Sequence, residues 1–195
     1  MTRMAKKYEF QPDKPYSSWL NQLQLTKLQR LQVIKWCLYA LILVIVSVIQ
    51  DVVLCRIRVF GSCSDLVPCA IFLICILEGS QQGSLFALIS SMLFLMSGSA
   101  PGPHVLVLIT IPAIIVCILR EVYLRPRLLS ALLCTVLAMV VYEFLVFCFC
   151  LLFGLVTFSR ISGFLASALL SAPAIPLLYL IARPIMAIGG TTWKD

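Results

Sequence analysis

From Trp36 onward the chain runs through long apolar stretches separated by short polar breaks, and each stretch is too long for a strand and too evenly apolar for a surface helix. The pattern predicts six helical membrane segments, at about 36–54, 60–77, 83–97, 104–119, 128–153 and 163–182. Glycine, proline and charge mark the breaks: Arg56–Ser62, Glu78–Gly83, Ser97–Pro103, Arg120–Arg127 and Gly154–Ser162. Upstream, residues 1–15 are polar and basic without apolar periodicity and read as a tail. From Tyr16 to Lys35, Leu20, Leu23, Leu31 and Ile34 share a narrow arc, with Trp19 beside them and Lys27 and Arg30 elsewhere. That is an amphipathic helix at headgroup depth, or a docking helix for a soluble partner. Residues 186–195 form a second tail.

Composition fixes the solvent. The chain is 62% hydrophobic and 12% charged, with a mean hydropathy of +1.05, which places it among all-α integral membrane proteins, here as a six-helix transmembrane bundle. The basic start contains no cleavable signal pattern, so the first apolar stretch is expected to be a lasting span. Six spans leave both termini on one side, with twelve of the fifteen Lys and Arg residues; Arg56, Arg58 and Arg160 fall on the other. Both termini are therefore expected in the cytoplasm, and the net charge of +7 reflects membrane orientation and not nucleic acid.

The second and third segments read as a hairpin about Glu78-Gly79-Ser80-Gln81-Gln82-Gly83. Small residues then recur every fourth position at Gly79, Gly83, Ala87 and Ser91, a ridge against which another helix can pack closely in lipid. Gly163, Ser167 and Ser171 repeat the spacing in the sixth segment. Each ridge suits packing inside the bundle, and one of the two is expected to serve a partner helix.

Polar intruders are the remaining candidates. Gln50 closes the first segment, Asp65 stands at the mouth of the second, and the uncharged run from Asp65 to Glu78 covers only about 18 Å against a hydrocarbon core of roughly 30 Å. Glu143 lies mid-span in the fifth segment; with no buried Lys or Arg expected in the spans, it calls for a hydroxyl or backbone donor on a neighbouring helix. His104 opens the fourth segment, where it is expected to bond loop carbonyls. No nucleophile, metal-ligand or phosphate-loop spacing occurs, so neither catalysis nor a cofactor is expected. The nine cysteines form no CxxC pair, and only Cys55 and Cys63 share a loop in which a disulfide would fit.

The order Gln50, Gly61, Asp65, then Gly79-x-x-x-Gly83-x-x-x-Ala87, then Ser97-Gly98-Ser99-x-x-Gly102-x-His104, with Tyr142-Glu143 later, resembles the bacterial rod shape-determining membrane protein MreD family over about residues 45–185. Departures are Ser64 where the family has Pro before the Asp, Phe94 where it tends to have Asp, and the amphipathic N-terminal extension. The resemblance implies a fold like the substrate-binding S-components of energy-coupling-factor transporters. It also implies a non-enzymatic scaffold in the cell membrane that binds the transmembrane helix of MreC. Through MreC it would influence the class B penicillin-binding transpeptidase and RodA, with MreB at the cytoplasmic face. The alternative is a vitamin-binding S-component itself, although of the Ala-x-x-x-Ala docking motif such proteins carry on the first span only Ala40 is present.

Overall fold

The computed structural model describes residues 27–56, 63–98, 100, 102–123 and 128–188. The N-terminal tail, most of the amphipathic stretch, the 57–62 loop and the C-terminal tail lie outside them. Helices are α1 (Lys27–Val52), α2 (Leu66–Glu78), α3 (Ser80–Met96), α4 (Val105–Tyr123), α5 (Leu128–Leu152), α6 (Ile161–Ser171) and α7 (Ala174–Met186), with short 3-10 turns at Leu54–Arg56 and Phe158–Arg160. No strand occurs among the described residues.

Two helical stretches, Gln29–Arg56 and Leu129–Leu152, are long and apolar enough to cross a membrane. A third is obtained if α6 and α7, bent by 43° at their junction, are taken as one broken span. Among the described residues the protein is thus all-helical, with two or three helices able to span a bilayer. The break in the last pair falls at Ala172–Pro173, where the proline ring removes an N–H and cannot continue the preceding helix.

α2 is the centre of the molecule. It packs against α1, α3, α4, α5 and α7, and every residue from Val67 to Gly79 is buried. Its sequence, LVPCAIFLICILE, is apolar on all sides, the pattern of a helix surrounded by others. At 13 residues, or about 20 Å, it is covered by protein along nearly its whole length.

The hairpin turns at Gly79, whose φ of 93° lies in the left-handed region that a side chain disfavours. Its N–H donates to the Cys75 carbonyl at 3.1 Å, closing α2, and α3 starts at the next residue. Beyond the turn, a Cβ on Gly83 would stand 2.7 Å from the Cys75 carbonyl oxygen and 3.2 Å from Cys117 Sγ. Only glycine allows the backbones of α2 and α3 to meet there. The Cys75 thiol donates to the Gly83 carbonyl at 3.1 Å and the Cys117 thiol to the Cys75 carbonyl at 3.4 Å, joining α2, α3 and α4 at one point.

Among the described residues α1 already runs from Lys27, nine residues before the expected first span, and continues without interruption through Lys35. No residue between Lys27 and Trp36 breaks a helix, and Lys35 is held from inside the fold, as described next.

Candidate functional site

The inner face of α1 is a single stripe: Lys35, Tyr39, Leu43, Val46 and Gln50 are all buried, at steps of three and four residues. Both polar ends of the stripe hold α2. Lys35 Nζ donates to Glu78 Oε2 at 2.5 Å, and the Tyr39 hydroxyl donates to Glu78 Oε1 at 2.6 Å. The expectation that the spans hold no buried Lys or Arg is therefore corrected: Lys35 is paired in the interior, and Arg120 is buried as well. At the other end, Gln50 Oε1 accepts the Val67 N–H at 2.8 Å, satisfying one of the donors that the first turn of a helix leaves without an intrahelical partner.

Around the start of α2, a second network ties in α6. Ser171 Oγ accepts the Asp65 N–H at 3.0 Å, stands 3.1 Å from Ser64 Oγ, and donates to the Ser167 carbonyl at 2.9 Å. Ser167 Oγ donates to Glu143 Oε1 at 2.8 Å, so the neighbouring hydroxyl that the mid-span carboxyl needs comes from α6. The Asp65 and Glu143 carboxyls are close enough to interact electrostatically. Both line a cavity of about 570 Å³ under the turn that joins α5 to α6, with Thr157, Arg160 and Ser167 also on its wall.

The two small-residue ridges face inward. Gly79, Gly83, Ala87 and Ser91 are buried within the chain, and Gly83 meets α2 and α4. Ser167 and Ser171 are buried in the network just described, while the half-buried Gly163 lines the cavity. The expectation that one ridge serves a partner helix is corrected accordingly, because its spacing is the same whether the neighbour belongs to this chain or another.

An apolar groove of about 280 Å³ lies elsewhere, between α1 and α3. Trp36, Ala40 and Leu43 form one wall, and Leu85, Ile89 and Leu93 stand on the other. Its end is closed by Trp36 and Phe86, with ring centroids 5.7 Å apart, next to the Lys35–Glu78 pair. Leu85, Ile89 and Leu93 remain at least half exposed.

His104 stands just before α4, and its backbone carbonyl accepts the Leu108 N–H at 3.0 Å. Its ring stacks on Phe149 with centroids 4.4 Å apart, and Nε2 has no hydrogen-bond partner among the described residues. The imidazole therefore fastens α4 to α5 by ring stacking. No cysteine is disulfide-bonded, Cys55 and Cys63 included.

Compared with protein-family models, curated proteins and solved structures, the chain matches none. Of the polar candidates, Asp65 and Glu143 are brought together at the cavity; Glu78 and Gln50 are tied to opposite ends of α1's stripe, and His104 stands apart. Lys35 and Arg160 were missed by the sequence reading. The step from Lys35 to Tyr39, Leu43, Val46 and Gln50 was a usable signal for the first, since it puts Lys35 on the apolar face. Nothing local points to Arg160.

Proposed function

We propose that the protein is a non-enzymatic membrane scaffold of the bacterial cell-elongation complex, of the MreD kind, and that it takes the transmembrane helix of MreC in the groove between α1 and α3. The groove carries this reading. Ala40 and Ser90 put short side chains on its two walls, so a third backbone can come close, and its rim of Leu85, Ile89 and Leu93 offers apolar side chains for interdigitation. In lipid, association rests on such packing, because acyl chains are as apolar as leucine. The shorter α2, α3 and α4 are counted as spans in this reading beside α1, α5 and the bent α6–α7 pair, which gives the six-helix bundle and S-component-like fold expected from the resemblance. Both termini face the cytoplasm of a cell membrane, where MreB lies, and MreC passes the effect on to the class B transpeptidase and RodA.

The test is recovery of MreC with the tagged protein after detergent extraction. Ala40→Trp, which fills the groove, is expected to lower recovery about tenfold, the effect of losing roughly 1.4 kcal/mol of packing. Leu133→Ala, on the exposed side of α5, is expected to leave it unchanged. Undiminished recovery with folded Ala40→Trp overturns the assignment.

A second reading, a vitamin-binding S-component, draws support from the cavity at Asp65 and Glu143. Tight retention of a water-soluble nutrient by the purified protein would favour it over the scaffold.

A further inference from the structure

Beside the cavity under the α5–α6 turn lies a second, apolar hollow of about 220 Å³, and the two share Glu143 and Phe164 in their linings. The first is polar at both levels: Arg160 and Thr157 at the turn, Asp65, Glu143 and Ser167 below. The second is apolar, running between α5 and α6 from Phe147 to Val140 on one side and along Ile161 and Leu165 on the other. Glu143 lies nine residues before the end of α5, about 13 Å along the helix, and the apolar hollow spans about 10 Å of α5 from Phe147 to Val140, passing Glu143 and reaching about 4.5 Å beyond it toward the middle of the helix. A charged chamber under the turn thus lies beside a greasy hollow that flanks Glu143.

We infer that this composite site binds a phospholipid with a primary amine in its headgroup: the ammonium against Asp65 and Glu143, the phosphate at Arg160, and one acyl chain in the hollow between α5 and α6. The charges select the headgroup. Two carboxyls in contact repel when both are ionised, and a cation between them relieves that repulsion. A primary ammonium brings three N–H donors, and the chamber offers three acceptors in the Asp65 and Glu143 carboxyls and the Ser167 hydroxyl. A quaternary ammonium has no donor for them, and an anionic headgroup without an amine sets its phosphate against two carboxyls. Arg160, at the rim, supplies the planar donor fork suited to a phosphate. The apolar hollow separates a lipid from a soluble amine phosphate, which would leave it empty.

The experiment titrates the delipidated full-length protein in detergent with phosphatidylethanolamine, phosphatidylglycerol or free phosphoethanolamine, and reads bound ligand by native mass spectrometry. Phosphatidylethanolamine is expected to bind at least about tenfold more tightly than either of the others, the worth of one charge-assisted bond. Arg160→Ala and Leu165→Trp change exposed residues, so folding is expected to survive. Each should weaken phosphatidylethanolamine about tenfold, the first by removing the phosphate partner and the second by filling the hollow. Glu143→Gln should remove the preference for the amine. Equal binding of the two lipids, or indifference to both exposed substitutions, overturns the inference. Free phosphoethanolamine binding as tightly as the lipid, with no effect of Leu165→Trp, overturns it in favour of a soluble ligand.

Discussion

Glu78 ends α2, where the negative pole of the helix disfavours a carboxylate. Lys35 and Tyr39 reverse that penalty by each donating to one of its oxygens. Removing one partner strands the other in the interior, so Lys35→Met or Glu78→Gln alone should cost about 3–5 kcal/mol. The double replacement should cost clearly less than the sum of the two. Denaturation of the detergent-solubilised variants in a double-mutant cycle checks this, and additive losses would show that the pair does not interact. The need for partners was legible in the sequence wherever a polar group interrupts an apolar run, at Gln50, Glu78 and Glu143. Their identities were not: Lys35 and Glu78 are 43 residues apart and Ser64 and Ser171 are 107 apart. Periodicity defines the face of a single helix and carries no information on which two faces meet.

At the scale of elements, the hairpin of α2 and α3 depends on two glycines for different reasons. Gly79→Ala forces a side chain into the left-handed region and should cost about 1–2 kcal/mol. Gly83→Ala drives a methyl into the Cys75 backbone and should cost about 1–3 kcal/mol through overpacking. Chemical denaturation separates the cases further: with ψ at −176°, Gly79 lies outside the αL well that asparagine tolerates, so Gly79→Asn should cost about as much as alanine, whereas the same replacement at Gly83 should be worse than alanine. The hairpin, its hinge and the proline break of the last helix pair could all be read from glycine and proline positions. The direction of the small-residue ridge could not, and neither could the groove between α1 and α3, whose walls come from two helices distant in sequence.

For the whole molecule, the central position of the second-shortest class of helix sets the order of local stability. α2, at 13 residues, would fray quickly in isolation. Five neighbours cover it, so its amides should exchange with deuterium more slowly than those of α6, and at a rate approaching that of global unfolding. Hydrogen exchange of the protein in lipid nanodiscs measures this, and α2 amides exchanging as fast as those of α6 would contradict the packing. Hydropathy made the membrane class and helical content plain. It marked six apolar runs, but full spanning length is reached by two helices, or three with the bent pair, because a run wrapped in protein need not match the thickness of lipid.

The Lys35–Glu78 pair also orders the birth of the molecule. Lys35 leaves the ribosome first and waits at the end of the first span without its protein partner until Glu78 follows. α2, with an acid at each end, makes a poor independent passenger through the insertion machinery, so it should enter together with α3 as a hairpin, and the arriving carboxylate then locks onto the waiting ammonium. A nascent chain halted after α1 should accordingly remain beside the translocon, and one halted after α3 should be released from it.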